Sequence, residues 1–154
     1  MIAYLRQTAA ETHFMVRLPE EVDFTLEEEE RILRNIRKSD KDLILAAFDG
    51  DRVVGNVGVH IFHDRTKVRH RSSLGIAIIQ EYCSSGLGTI LMERGIDFAK
   101  KAGFEQLELG VFADNDRALC LYKKMGFEEI GRIPRAFRLP DGSYIDEITM
   151  VKML

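Results

Sequence analysis

The stretch that most constrains this 154-residue chain is "AIIQEYCSSGLGTILMERGIDFAKKAGF", residues 77–104. An apolar run breaks at Gln80, passes through small polar residues and two glycines, and resumes with the spacing of an amphipathic helix. A strand that feeds a helix through Ser84, Ser85, Gly86, Leu87 and Gly88 leaves the helix's first N–H groups without partners inside the helix. Those groups, with the helix dipole, attract an anion. Glycine there lets a ligand come close to the main chain, because no Cβ intervenes. The stretch therefore predicts a strand–loop–helix unit with an anion site made of backbone.

The remaining pattern extends that unit into a domain. Residues 1–13 read as a helix with Ile2, Leu5 and Ala9 near one face, and residues 13–24, which hold Pro19, read as a loop. Thr25 and Glu28 form a capping box for a helix whose apolar stripe is Ile32, Leu33 and Ile36. Strands follow at 43–48 and 52–62 around the Asp49-Gly50 turn, with Val53, Val57, Val59 and Ile61 on one face. A third strand at 72–79 aligns Leu74, Ile76 and Ile78. The helix from Leu87 to Lys101 carries Leu87, Leu91, Phe98 and Ala102 along one stripe and stops at Gly103. A strand at 106–112, a helix opened by Asp114 or Asn115 and closed by Gly126, and strands at 127–133 and 143–153 complete the chain. Antiparallel hairpins followed by strand–helix–strand–helix–strand imply one α/β domain over residues 1–154. Its central sheet is mixed and flanked by helices.

Composition narrows the partners. With 45% hydrophobic and 31% charged residues, the chain has enough apolar surface to build a core and is not a disordered one. No apolar run approaches the roughly 18 to 20 residues that span a bilayer, and "MIAYLRQTAAET" lacks a secretory signal's basic and apolar regions. A net charge of -3 argues against a wholly basic nucleic-acid surface. The basic run at 65–71 and Arg132, Arg135 and Arg138 read as solvated faces. The expectation is therefore no membrane and no nucleic acid as partner. Only Cys83 and Cys120 are present, which suits a reduced, cytoplasmic setting.

The loop fails two familiar phosphate motifs. A P-loop requires lysine after its last glycine, and Gly88 is followed by Thr89. A dinucleotide fold requires a third glycine where Leu91 stands. The pyrophosphate of coenzyme A remains. "EYCSSGLGTILM" together with "LELGVFADNDRALCLYKKMGF" resembles the GCN5-related N-acetyltransferase (GNAT) family, in order and at the right separation. The resemblance covers about residues 40–154 and is strongest over 74–131.

The resemblance implies a GNAT-like fold and acetyl-CoA as cosubstrate. Main-chain groups of Ile76 and Ile78 would pair with the pantetheine arm. N–H groups from Ser84, Ser85, Gly86, Leu87, Gly88 and Thr89 would hold the pyrophosphate. Asn115 would hydrogen-bond the cosubstrate, Ala118 would pack against it, and Tyr122 would act as general acid beside the sulfur. The chain also departs from the family. Cys83 and Ser84 stand where an Arg or Gln and a glycine are usual, and Ser73 where many relatives carry glutamate. Relatives begin with a strand, whereas this chain opens in a helix, so the first strand is expected to be missing or displaced.

Acetyl transfer to an amine needs a neutral amine, and a lysine-like amine of pKa about 10.4 must first lose a proton. Direct attack on the thioester follows, with no acyl-enzyme. Tyr122 also reads as an amphipathic core residue with its hydroxyl at the rim. Cys83 has no His or Asp at a spacing that would make it a nucleophile, and Cys120 reads as buried packing. His60, His63 and His70 are spaced irregularly across a hairpin, so no metal is expected. Glu108 is one candidate base, and Glu27 to Glu30 read as a solvated helix face. The amine pocket should be lined by 11–22, 72–76 and the region around 133–144. The acceptor is read as a small amine, an amino acid or a peptide or protein amino group. The competing function is a noncatalytic acetyl-CoA sensor that keeps the loop and not the chemistry. Edge strands near the C-terminus invite a homodimer.

Overall fold

Short runs rich in Val, Ile and Leu, two pairs of them joined by Asp-Gly turns, fold into six strands of one sheet in a computed structural model that describes residues 1–154. Two helices come first, α1 (Ile2–Glu11) and α2 (Leu26–Lys38). The hairpin strands β1 (Leu43–Asp49), β2 (Arg52–Ile61) and β3 (Arg71–Ile78) follow, then α3 (Leu87–Lys101) and β4 (Gln106–Phe112). The chain ends with α4 (Asp116–Lys124), β5 (Glu128–Arg138) and β6 (Tyr144–Met153). The sheet runs β1-β2-β3-β4-β6-β5. Every neighbouring pair is antiparallel except β3 and β4, which are parallel. A parallel pair needs a crossover, and α3 supplies it.

One face of the sheet carries the main core. Val57, Val59, Leu74, Leu107, Leu109, Ile148 and Met150 meet Leu91, Met92, Ile96 and Ala99 of α3 and Tyr122 of α4. Each large apolar side chain buried there contributes about 1.5–3 kcal/mol. The other face is sealed at the β2–β3 end by α1, through a cluster of Tyr4, Val54 and Ile79. The Tyr4 hydroxyl lies 2.8 Å from Asn56 Oδ1 and 2.7 Å from the Ala77 carbonyl oxygen. Burial pushes its pKa well above the ordinary tyrosine value, against the opposing effect of the Asn56 contact.

Several details differ from the sequence expectations, each for a packing reason. In α2 the capping box forms as expected, with Glu28 N–H donating to Thr25 Oγ1 at 3.2 Å. Yet Glu29 is buried, not solvated, while Ile32 is 38% exposed. The inward stripe is Glu29, Leu33 and Ile36, at i, i+4 and i+7. Cys120 is exposed rather than packed, because the inward side of α4 is Ala118, Leu121, Tyr122 and Met125 and position 120 falls outside it. Strand β5 runs five residues beyond 133, held to β6 by pairing that shifts register twice. The chain opens in α1, and the sheet's edges are β1 and β5.

Candidate active site

The site begins where two strands separate. β3 pairs with β4 only through Arg71–Ser73 opposite Gln106–Glu108, and beyond that the strands part. The ladder on the other side of β3 decides which groups face the opening. Ile79 N–H donates to the Val54 carbonyl, and the Arg71 carbonyl accepts from Phe62 N–H, so odd-numbered residues turn toward β2. Main-chain groups alternate along a strand. Ile76 and Ile78 therefore direct their N–H and C=O toward the gap, with only the Cys83 thiol near the Ile78 carbonyl at 3.8 Å. A strand edge without a partner is a ready template for an extended ligand.

At the far end of β3 the loop turns sharply. Ser84 (φ 62) and Gly86 (φ 91) both adopt left-handed backbone, which a glycine adopts without steric cost. Gly86 is the N-cap of α3 and has no side-chain capping bond. The N–H groups of Ser84, Ser85, Gly86 and Gly88 have no protein acceptor, whereas Thr89 N–H bonds the Gly86 carbonyl at 3.1 Å. Leu87 N–H leans on Ser85 Oγ at 3.4 Å, and that hydroxyl donates to the Tyr82 carbonyl at 2.7 Å. Successive free amides around left-handed residues form an anion-binding concavity. Gly88 also has a packing role: a Cβ there would stand 3.1 Å from Leu121 Cδ2 and 3.4 Å from Ile78 Cδ1.

Helix α4 lies beside this loop. Its N-cap is Asn115, whose Oδ1 accepts from Ala118 N–H at 3.1 Å, leaving the amide nitrogen of the side chain without a protein partner. Ala118 is half-buried against the core. Tyr122 is buried with its ring 6.1 Å from that of Phe127. Its hydroxyl bonds no protein atom, and it is not sealed from solvent. Burial alone pushes its pKa up to about 12, so the group remains a neutral proton donor across the neutral range. Lys124, which the sequence reading passed over, places its ammonium 3.3 Å from Thr89 Oγ1 at the mouth of the loop. No sequence spacing signals that contact, since it joins two helices.

The opposite face of the parted strands is different in character. Glu108 does not project freely. Arg71 grips it with two hydrogen bonds, one of 2.7 Å from Nη2 to Oε2, and Gln106 donates to it at 3.1 Å. That ion pair raises the Arg71 pKa above its ordinary value and occupies the carboxylate named above as a candidate base. Past the end of β4, Phe14 packs edge-on to Phe112, and Phe137 stacks on Phe112 at 3.7 Å between centroids. His13 Nε2 lies 2.8 Å from Asp114 Oδ2. The segment after α1 and the end of β5 thus meet over β4, where an acceptor pocket was expected. A shallow cleft of about 350 Å³ beside them is lined by Asp114, Arg132, Tyr144 and Asp146. Hydrogen bonds from Arg135 N–H and the Arg132 guanidinium hold the Asp146 pKa below the usual carboxylate range.

The three histidines do not converge. His60 lies 3.3 Å from Asp42, His63 packs on Phe62, and no three His, Cys, Asp or Glu side chains gather to hold a metal ion. No helix is long and apolar enough to cross a membrane.

Comparison with known proteins gives the same picture. The acetyltransferase (GNAT) family matches residues 4–127, taking in α1 and α2 ahead of the stretch that carried the resemblance. An L-amino acid N-acetyltransferase of Escherichia coli (strain K12) is 31% identical over 111 residues, 71% of this chain and 67% of that protein. N-alpha-acetyltransferase 30 of Schizosaccharomyces pombe is 30% identical over 92 residues, and the match spans 59% of this chain and 61% of its length. The crystal structure of a GNAT-family acetyltransferase from Streptococcus pneumoniae superposes with a TM-score of 0.94 at 32% identity, over 99% of this chain and 91% of that one. On sequence and fold together, the chain belongs to the acetyltransferase (GNAT) family and is an N-acetyltransferase that uses acetyl-CoA.

Proposed function

We propose that the protein transfers acetyl directly from acetyl-CoA to a primary amine: a small amine, an amino acid, or a peptide or protein amino group. The observation that carries this reading is the parted β3–β4 pair, with free amides at one end and an unbonded tyrosine hydroxyl on the helix beside it. Acetyl-CoA supplies an activated acyl group. The chain's own residues then bind and orient. Ile76 and Ile78 offer a strand edge to the pantetheine amides. The N–H groups of Ser84, Ser85, Gly86 and Gly88 meet the pyrophosphate, with the Lys124 ammonium adding charge nearby. Asn115 presents its side-chain amide, and Ala118 keeps the wall beside it small.

Two neutral-range demands follow from the chemistry. The leaving sulfur needs a proton, and Tyr122 holds one whose pKa lies at about 12. The acceptor must reach the thioester as a free amine, held in line with the carbonyl, and such positioning alone lowers the barrier substantially. The chain is similar to an L-amino acid N-acetyltransferase and to an N-alpha-acetyltransferase, and this supports trying α-amino groups first among acceptors. A cytoplasmic setting suits the two free cysteines.

The test is thiol release from acetyl-CoA against L-amino acids, polyamines, aminoglycosides and peptides with free N-termini. Tyr122→Phe keeps the ring in the core and removes only the hydroxyl. It should lower kcat about 100-fold, the scale of general acid catalysis, and leave acetyl-CoA affinity within about twofold. Wild-type protein that binds acetyl-CoA and acetylates no member of the panel would favour the sensor reading instead.

A further inference from the structure

Both strands that border the gap carry glycine on the face away from α3 and α4. Ser73 pairs with Glu108, so the next residues on that face are Gly75 of β3 and Gly110 of β4, with Phe112 beyond. Both glycines are exposed. A Cβ built on Gly75 meets nothing within 4 Å, so that side of the opening is bare. Gly110 is the contrary case. A Cβ there would collide with Glu147 Oε1 and lie 2.8 Å from its carboxyl carbon and 3.3 Å from its Cγ. Glu147 stands on β6 directly opposite Phe112, and its side chain reaches back across β4 into the space that any residue but glycine would fill.

That carboxylate is half-buried and has no hydrogen bond or ion pair within the protein. A carboxylate with no protein partner, held over a glycine on the face of the opening, is available to a charge brought by a ligand. The nearest carboxylate on the same face of β4, Glu108, is already neutralised by Arg71. The aromatic group of Phe14, Phe112 and Phe137 forms an apolar wall on the other side.

We propose that Glu147, admitted through the window left by Gly110, is the base that receives the acceptor ammonium and takes its proton. This inference rests on the acetyl-transfer reading above and names the residue that prepares the amine. Glu147 lies over Gly110, on the β4 border of the gap, from one face of the sheet, and α4 with Tyr122 lies on the other. The ammonium gives one proton to the Glu147 carboxylate. The freed nitrogen attacks the acetyl carbon, a C–N bond forms and the C–S bond breaks. The departing sulfur takes the Tyr122 proton. The new amide nitrogen sheds its extra proton to solvent, and solvent returns one to Tyr122. Glu147 loses its own proton to solvent as product leaves, so the cycle releases one proton in all. The acceptor class is a cationic amine carried next to an apolar group that can lie against the partly exposed rings of Phe14 and Phe137, which cover Phe112.

The experiment compares wild type, Glu147→Gln, Gly110→Ala and the double variant, using acetyl-CoA and the panel members that wild type acetylates. Glu147→Gln preserves shape and should lower kcat/KM at least about 100-fold, with acetyl-CoA affinity by calorimetry and the melting temperature nearly unchanged. Gly110→Ala should displace the carboxylate and lose activity in the Glu147 protein, yet cost less than about threefold when glutamine already occupies 147. Glu147→Gln with more than a third of wild-type kcat/KM would overturn the inference and leave the acetyl-transfer reading standing. An equal loss from Gly110→Ala in both backgrounds would overturn the role of the window. A wild type that releases no thiol with any acceptor would overturn both readings together.

Discussion

Tyr122 shows how a single side chain is tuned by where its helix sits. Desolvation disfavours the phenolate, and no protein charge offsets it, so the pKa rises to about 12. Below about pH 10 the hydroxyl is neutral in both folded and unfolded chains, so its burial costs nothing in ionisation. Above that the unfolded chain ionises first, and this residue's contribution to stability falls as pH climbs toward its folded value. The phenolate absorbance of wild type minus Tyr122→Phe should therefore show no step near pH 10 while the near-ultraviolet circular dichroism remains native. A native-state step at 10 would contradict the burial. The inward placement of Tyr122 was legible from the apolar spacing of "ALCLYKKMGF", and its role as general acid rests on the proposal above. Glu147 was not legible. Its significance depends on Gly110, a residue on another strand, and no local pattern joins the two. Cys120 was misread although the Ala118, Leu121, Tyr122, Met125 spacing excludes it from the inward side of α4.

At the level of elements, the loop before α3 combines backbone amides with one cation from a neighbouring helix. The amides come from left-handed Ser84 and Gly86, and the ammonium of Lys124 comes from the last turn of α4. An exposed cation near a doubly charged ligand helps moderately, and salt screens it. Lys124→Ala should weaken acetyl-CoA binding about threefold to tenfold at low ionic strength, with the difference from wild type narrowing as salt rises. An affinity unchanged at every salt concentration would remove Lys124 from the site. The loop and both helix caps were legible because capping boxes, N-cap Asn and glycine stops are local signals. The inward face of α2 was not, since burying Glu29 and exposing Ile32 depends on how the helix lies against β1. The second half of β5 was missed for a related reason. Its pairing with β6 survives two register shifts, and the alternation that marks a strand is lost across them.

For the molecule as a whole, the decisive feature is a sheet that comes apart in its middle. Six strands of ordinary length would close into one continuous sheet, but β3 and β4 share only three paired positions. Each face of the opening then receives different chemistry. Helices α3 and α4 bring amides, a lysine and a tyrosine, while β6 and the segment after α1 bring a carboxylate and aromatic rings. The order of strands and helices was readable from hydrophobic periodicity, and the parting was not, because a strand's sequence records its faces and says little about its edges. On the proposed reading, the gap gives the main-chain groups of Ile76 and Ile78 a larger part in binding than their side chains. Substituting those side chains should alter packing and leave the pairing of the cosubstrate largely intact.

The most direct test is a crystal of the wild-type protein soaked with acetyl-CoA. The pantetheine arm should run along β3 between the parted strands, bonded to the main chain of Ile76 and Ile78, with the pyrophosphate on the amides from Ser84 to Gly88. Acetyl-CoA seated anywhere else, such as against the outer edge of β1, would contradict the account.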